Sequence, residues 1–394
     1  MKIPIILATD DNYAPYCGVT IQSVIEHASL DNMYYIHILH TSLSNSFQEQ
    51  LEGMSGRNIK ITCFNVTQEM NDKIIVSTNH LSPETTYRIL IPRLFPQYEK
   101  VLYLDSDLVV LKDVADLFIF DIESYALGAA EYVSSSFDEE HQNRIGVPLE
   151  NAFNAGVLLI NCKKFKELGI EQKCFDLLED TEDLPFLDQD ALNLTCTEHV
   201  KFFNASWNCT WHFNFPCYAP VAEHTSRFEQ SFATPHIVHY TSAIKPWANP
   251  KYELAKHFWH YAEKSPFYDY IFTNAVTTDH NFKIYFFPFE SIPYGKRIVV
   301  YGGGIVGQTY HTQLTTTGLY NVVAWVDQKY ELLQGIGNIT HPTSLINLEY
   351  DMIIVAVERE YTATHIINYL NELGVESQKI FWAPPQLSKR RTGD

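Results

Sequence analysis

Nowhere in the 394 residues do two cysteines stand in a C-x-x-C arrangement. The seven cysteines are odd in number and scattered, which argues against a cysteine-built metal site and for reduced thiols in a cytosol. Basic residues are scarce: 28 Lys and Arg stand against 47 Asp and Glu, a formal net charge of −19. A surface of that sign repels nucleic acid and anionic lipid, so neither is expected as a general partner. A basic cluster, Lys389-Arg390-Arg391, lies in a tail over 387–394 that is expected to be flexible and to offer weak peripheral membrane contact at most. Long apolar runs are missing too. The opening run from Met1 to Ala8 is too short for a signal peptide and is cut off by Asp10-Asp11, and no stretch reaches membrane-spanning length. The expected setting is cytoplasmic, with peripheral contact at the inner membrane face through the tail as the less favoured alternative. Internal repeats and low-complexity segments are absent.

What remains is the material of a globular protein, 46% hydrophobic and 19% charged, with 24 Tyr, 24 Phe and 6 Trp. Such a chain is too long for one ordinary core, and two domains are expected. In the first, short apolar runs alternate with helical spacing, the mark of an α/β domain. Strands are predicted at 3–8, 34–40, 59–64, 101–104, 127–131, 156–160 and 237–240, and helices at 47–54, 84–94 and 163–178. An aromatic join at 268–270 leads to a second set: a strand at 297–301, a glycine cluster with a helix, strands at 322–326 and 352–357, a helix at 366–373 and a last strand near Ile380. That pattern is a small doubly wound parallel sheet. The expected division is 1–275 and 290–386.

Polar clusters fall at the C-terminal ends of the predicted strands, where open parallel sheets place their ligand crevice. The strand at 101–104 runs straight into Asp105-Ser106-Asp107. Alternate carboxylates at a strand end can flank one hard cation, and a divalent ion screens the charge of a departing diphosphate. For D-x-D alone an acidic turn is an equal reading, and the apolar and aromatic residues leading straight into it favour the cation. His239 sits near a strand end, and with the two aspartates it completes an O,O,N set that suits Mn²⁺, with Mg²⁺ as second choice. Lys245 is placed to neutralise a phosphate, and Trp247 reads as packing. Phe153-Asn154-Ala155-Gly156-Val157 and Leu187-Asp188-Gln189-Asp190 carry amides and carboxylates suited to sugar hydroxyls, and the small Ala155 and Gly156 let a ligand approach the backbone. A helix N-terminal cap is the alternative for Asp188 to Asp190. After the first strand, Ala8-Thr9-Asp10-Asp11-Asn12-Tyr13 offers groups for a uracil and ribose, with Tyr13 able to stack on a base; a helix cap from Asp11 or Asn12 is the alternative.

Together these segments resemble glycosyltransferase family 8, the retaining GT-A transferases that include bacterial lipopolysaccharide galactosyl- and glucosyltransferases. The resemblance covers about the first 270 residues. It rests on five motifs in order: Asp11-Asn12-Tyr13, Thr85-Thr86-Tyr87-Arg88, Leu104-Asp105-Ser106-Asp107, Phe153 to Val157, and Asp188-Gln189-Asp190 followed by His239-Tyr240 and Lys245-Pro246-Trp247. It implies a GT-A nucleotide-sugar-binding domain with a mixed central sheet. It further implies transfer of glucose or galactose from a UDP-sugar to a glycan or lipid-linked glycan, in bacterial surface polysaccharide synthesis. By the same resemblance Asp105, Asp107 and His239 bind Mn²⁺, with Asp105 also facing the donor. Ala8, Asp10, Asn12 and Tyr13 hold the uridine, Lys245 meets the diphosphate, and Arg88, Asn154, Ala155, Asp188 and Gln189 surround the donor sugar. Ser242 stands where the family usually has glycine; its amide still reaches a phosphate unless the backbone needs positive φ there. The family's acidic group after the strand bearing Gly128 falls on Glu131 or a neighbour. Gln189 is the group placed nearest the anomeric carbon, and an amide is a poor nucleophile. Attack on the leaving-group face, with the UDP oxygen taking the acceptor's proton, is therefore favoured over a covalent sugar on Asp188 or Asp190.

The second sheet opens with Gly302-Gly303-Gly304-Ile305-Val306-Gly307, a G-x-G-x-x-G between strand and helix, and Asp327 closes the next strand near the spacing of a ribose-binding acid. This part resembles small Rossmann-like modules appended to bacterial sugar-modifying enzymes, for which a structural or assembly role is preferred over nucleotide binding. Two other functions are open. An NAD(P)-dependent oxidoreductase built on this turn leaves the first-domain motifs unexplained. A non-catalytic nucleotide-sugar-binding protein has no need of an intact Asp105, Asp107 and His239.

Overall fold

The apolar run at the start of the chain forms β1 (Lys2–Ala8), in which Ile3, Ile5, Ile6 and Leu7 have no exposed surface. A strand buried on both faces belongs in the middle of a sheet. Around it lie β2 (Met33–His40), β3 (Ile59–Asn65) and β4 (Lys100–Leu104), with β2 and β4 both parallel to β1. The computed structural model describes residues 1–70, 83–131, 136–180, 184–210, 225–241, 245–247, 254–276, 285–333 and 337–387. These pack as two compact units, Met1–Ala243 and Ile244–Asp394.

In the first unit the chain continues through β5 (Leu108–Val110), β6 (Leu127–Ala130), β7 (Val157–Asn161) and β8 (Val200–Phe203), then β9 (Cys209–Thr210) and β10 (Ile237–His239). Seven strands make a central sheet in the order β3-β2-β1-β4-β7-β6-β8, mixed because β7 runs antiparallel to both neighbours. Strand order reverses between β1 and β4, the position beyond whose C-terminal strand ends open α/β sheets place a ligand. A smaller sheet, β5-β10-β9, stands beside it. Several expectations change in detail. The helix expected over 163–178 is two helices, Cys162–Glu167 and Ile170–Asp180, broken where Gly169 takes φ 65°. The one expected over 84–94 is a 3-10 turn, Pro83–Thr86, followed by the α-helix Tyr87–Leu94. Strands β5, β8 and β9 were not foreseen, being too short to display a period.

The second unit holds β11 (Tyr285–Phe286), β12 (Arg297–Tyr301), β13 (Asn321–Val326), β14 (Ile339–Thr340), β15 (Met352–Val355), β16 (Ile380–Phe381) and β17 (Gln386–Leu387). Five of these form a wholly parallel sheet ordered β14-β13-β12-β15-β16, while β11 and β17 pair antiparallel. Its core gathers Val299, Tyr301, Val326, Ile353 and Val355 against Ala363 and Leu370 of the helix Glu360–Glu372, which begins earlier than the expected 366. Residues 245–247 and 254–275, placed in the first domain on sequence grounds, fall in this unit. The reason is aromatic: Tyr268 stacks on Phe272, lies tilted to Phe286 and edge-on to Phe289, and its hydroxyl donates to Gln313 Oε1 at 3.3 Å. Among the described residues no helix is long and apolar enough to cross a membrane. Lys389, Arg390 and Arg391 lie outside the described residues.

Candidate metal and donor site

The polar residues at the β1/β4 reversal lie just past the strand ends. Beyond β4, the middle residue of Asp105-Ser106-Asp107 turns inward: Ser106 Oγ donates to the carbonyl of Ala8 at the end of β1, and Thr20 Oγ1 donates to the Leu108 carbonyl at 2.7 Å while lying 3.2 Å from that of Ser106. With Ser106 fastened, the flanking carboxylates face outward, their side chains 22% and 16% exposed. The histidine arrives through the small sheet. β10 pairs antiparallel with β5, which sets His239 opposite Leu108, and the Tyr240 N–H donates to the Asp107 carbonyl at 3.0 Å. Its Nε2 then lies 3.1 Å from Asp107 Oδ1 and 3.5 Å from Asp105 Oδ2. One ligand atom from each of Asp105, Asp107 and His239 falls within 4.8 Å of the others.

Three details fit this trio to a divalent cation. Asp105 Oδ1 is occupied by the Tyr103 hydroxyl (2.7 Å) and Arg88 Nη2 (3.2 Å), which leaves Oδ2 turned to the imidazole. His239 Nδ1 meets Asn208 Oδ1 at 2.9 Å, so its other nitrogen is the one presented to the carboxylates. Gly156 supplies the room. A Cβ there would lie 2.0 Å from His239 Cε1, 2.6 Å from Nδ1 and 2.8 Å from Asp105 Oδ2. The missing side chain thus makes room for the histidine, a use of Gly156 beyond the expected approach of a ligand to its backbone.

Behind the trio, Arg88 ties the donor-side residues together. It sits in the first turn of the helix Tyr87–Leu94, is 4% exposed, and lies with its Cζ 4.6 Å from the Tyr103 ring centroid. Its Nε is 2.8 Å from Asp188 Oδ2, and its Nη1 donates to the Ala155 carbonyl. Burial opposes its charge, but Asp105 and Asp188 outweigh that and push its pKa up. Replacing one partner of a buried ion pair strands the other. Arg88→Met is therefore expected to destabilise the first unit by about 3–5 kcal/mol, with a further Asp188→Asn restoring part of the loss. Urea unfolding of the single and double variants checks this; a single variant as stable as wild type would contradict the pairing.

The other expected residues converge less uniformly. Asn154, Ala155 and Gln189 meet directly, since Gln189 Oε1 accepts from Asn154 Nδ2 and from the Ala155 N–H, both at 3.1 Å. Asp190, unexposed, bonds His141 Nε2 at 2.8 Å and accepts the Phe186 N–H at 2.9 Å, so it braces a turn in which Leu187 takes φ 44°. A branched residue at positive φ is strained. On the β1 side, Asp10 accepts the Tyr13 N–H through Oδ1 (2.8 Å) and Asn12 Nδ2 through Oδ2 (2.9 Å). Neither Asp11 nor Asn12 caps the helix Ala14–His27; Asp11 instead accepts the Ser44 N–H. Tyr13 is 38% exposed and stands edge-on to Tyr16. Glu131 has its N–H bonded to the Phe203 carbonyl. Ser242 lies outside the described residues. Lys245 falls in the second unit, its Nζ 6.0 Å from the Trp247 ring centroid.

Asn208, Asn193, Tyr103 and His141 escaped sequence reasoning. Tyr103 was legible, because residues two apart on a strand share a face and Asp105 stands at that interval from it. Asn193 was legible as well, four residues beyond Gln189 on one helix; its Nδ2 donates to the Gln189 carbonyl at 2.8 Å. For Asn208 and His141 no local signal existed.

In the second unit the glycine turn is consumed by its own packing. Gly302 takes φ 121°, and a Cβ on Gly307 would lie 1.9 Å from the Gly302 carbonyl oxygen. A Cβ on Gly303 would lie 2.4 Å from Leu333 Cδ1. Asp327 accepts the Gly303 N–H at 2.7 Å and the Lys329 N–H at 2.7 Å. The acid at the spacing of a ribose-binding group thus closes the turn, and nothing in the described residues of this unit supports the oxidoreductase reading.

Comparison with known proteins extends these observations. A family profile described as Glycosyl transferase family 8 matches residues 4–250, and one described as C2185-like, N-terminal matches residues 294–381. General stress protein A of Bacillus subtilis (strain 168) is 24% identical over 266 residues, 65% of this chain and 92% of that protein. The lipopolysaccharide 1,2-glucosyltransferase of Escherichia coli is 25% identical over 296 residues, 73% of this chain and 80% of that protein. Among solved structures, galactosyltransferase LgtC in complex with donor and acceptor sugar analogues is similar with a TM-score of 0.57 and 26% identity, covering 67% of this chain and 96% of that one.

Proposed function

The chain belongs to glycosyl transferase family 8, and from that premise we propose that it moves glucose or galactose from a UDP-sugar to a glycan or lipid-linked glycan acceptor with retention of anomeric configuration. Its first unit has the GT-A glycosyltransferase fold with a mixed central sheet. The observation that carries the reading is the meeting of Asp105, Asp107 and His239 at the reversal of strand order.

A divalent cation held by that trio, Mn²⁺ by the chemistry of an O,O,N donor set, supplies Lewis-acid screening of the departing diphosphate. The chain's own residues do the rest. Ala8, Asp10, Asn12 and Tyr13 hold the uridine, with Tyr13 stacked on the base. The hydrogen bond from Ser106 to the Ala8 carbonyl keeps nucleoside and metal residues in one register. Arg88 fixes Asp188 and the Ala155 carbonyl beneath the sugar, and Asn154, Ala155 and Gln189 line its face. Retention proceeds by same-face attack. Asp190 is spent on His141 and Phe186, and the charge of Asp188 is paired with the Arg88 guanidinium although its Oδ2 accepts no hydrogen bond; both facts favour this route over a covalent sugar on either. The five-stranded parallel sheet of the second unit is a Rossmann-like module whose glycines serve the strand–helix turn. Bacterial surface polysaccharide is the proposed product, and the cytoplasm the proposed location.

A donor screen with UDP-glucose, UDP-galactose and other nucleotide sugars in Mn²⁺, with NMR of the released or transferred sugar, tests this. The expected outcome is turnover of one UDP-hexose with an axial first product. An equatorial first product would remove retention, and turnover of no nucleotide sugar would remove the enzyme.

A further inference from the structure

An unbroken run of amide hydrogen bonds joins the histidine of the metal trio to Gln189. His239 Nδ1 meets Asn208 Oδ1 at 2.9 Å, Asn208 Nδ2 donates to Asn154 Oδ1 at 2.9 Å, and Asn154 Nδ2 donates to Gln189 Oε1 at 3.1 Å. Side-chain amides can in general be turned end for end, but these cannot. Two backbone N–H groups, which can only donate, anchor the run. The Ala155 N–H meets Gln189 at 3.1 Å, so the atom there is the Gln189 oxygen. The Gly156 N–H meets Asn154 at 3.0 Å, so that atom is the Asn154 oxygen.

Direction is fixed along the whole run. With its oxygen toward Gly156, Asn154 offers its NH₂ to Gln189, and Asn208 offers its own NH₂ to Asn154. The oxygen of Asn208 then faces His239, whose Nδ1 carries the proton. In the neutral ring that a metal ligand requires, Nε2 then has its lone pair toward Asp105 and Asp107. At the far end, the part of the Gln189 side chain not taken up by the run is its Nε2–H pair.

We propose that Asn208 is a positioning residue that locks the metal-site histidine and Gln189 into a single arrangement, so that Gln189 meets the donor sugar as a hydrogen-bond donor. This rests on the glycosyltransferase reading above and deepens it. Asn208 is 7% exposed and lies 31 residues from His239 and 54 from Asn154 in sequence, so only the fold brings the three together.

Asn208→Asp separates the two halves of the claim. A carboxylate still accepts from Nδ1–H, but it confronts Asn154 Oδ1 with a second acceptor and severs the run toward Gln189. Mn²⁺ affinity of the full chain, measured with the metal alone by electron paramagnetic resonance, is expected to stay within about threefold of wild type, while kcat falls by about tenfold or more at little-changed donor KM. Asn208→Ala loses the acceptor as well, and Mn²⁺ affinity is expected to drop about 10–100-fold. If Asn208→Asp does not fold, Asn154→Asp serves. It keeps both acceptor roles of Asn154, removes only its donor to Gln189, and is expected to show the same loss of kcat with Mn²⁺ affinity intact. A folded Asn208→Asp with wild-type kcat overturns the positioning role, as does one that loses Mn²⁺ as severely as Asn208→Ala. In either case an active wild type leaves the glycosyltransferase reading standing. A wild type that neither binds Mn²⁺ nor turns over a UDP-sugar overturns both.

Discussion

Asp107→Ala is expected to lower UDP-sugar turnover about a thousandfold or more while the protein stays folded. Lewis-acid assistance at a leaving group is worth several kcal/mol, and each factor of ten in rate corresponds to about 1.4 kcal/mol, so loss of a working metal centre amounts to three decades or more. Stability has little reason to change with it. The Asp107 side chain is part-exposed and directed at His239, whereas the contact that holds the local chain, from the Tyr240 N–H to the Asp107 carbonyl, is backbone and survives the substitution. Steady-state kinetics in saturating Mn²⁺ with a thermal melt of the same sample provide the check. A variant within tenfold of wild type would mean that the cation, if used, is held elsewhere.

Gly156→Ala is expected to cost nearly as much activity through a single methyl group. Glycine at this position has no positive φ to explain it, so the constraint is space. The added carbon would lie 2.0 Å from His239 Cε1. His239 has nowhere to retreat, being 2% exposed and held at Nδ1 by Asn208. Either the imidazole swings away from the carboxylates or β7 is pushed from β4, where the Asp105 N–H donates to the Gly156 carbonyl at 2.8 Å. Overpacking of this kind costs about 1–3 kcal/mol of stability. The larger effect is on the cation: Mn²⁺ affinity and turnover should both fall by about a hundredfold or more, because a misplaced ligand is close to a missing one. Mn²⁺ titration and kcat of the variant decide the matter. Wild-type values for both would show that the histidine is free to move aside.

Much of the site was readable before folding because its residues sit where strands end. The runs into β1, β4 and β12 are apolar enough to mark buried strands, and Asp105 and Asp107 come directly after one of them. Period-two reasoning reaches Tyr103, and helical spacing reaches Asn193. Three things were not legible. Asn208 holds His239 from a stretch with no pattern of its own, and asparagine in a loop is too common to single out. Gly156 announced a need for space without saying whose, and only the arrival of His239 by way of β10 identifies the occupant. Asp327 has the spacing of a ribose-binding acid, yet the Gly303 N–H claims it, a contact made across two strand ends that linear spacing cannot distinguish from a vacant carboxylate.

Joint dependence of nucleotide binding on cation and trio is the most direct test. Thermal melts of the full chain with UDP alone, Mn²⁺ alone and both together should show a joint shift several degrees beyond the sum of the two single shifts, because a ligand that binds only the native state stabilises it by mass action and each of these ligands tightens the other. In Asp107→Ala that joint shift should vanish. Equal stabilisation by UDP with and without Mn²⁺, or a joint shift that persists in Asp107→Ala, would contradict a cation gripped by Asp105, Asp107 and His239 beneath a diphosphate.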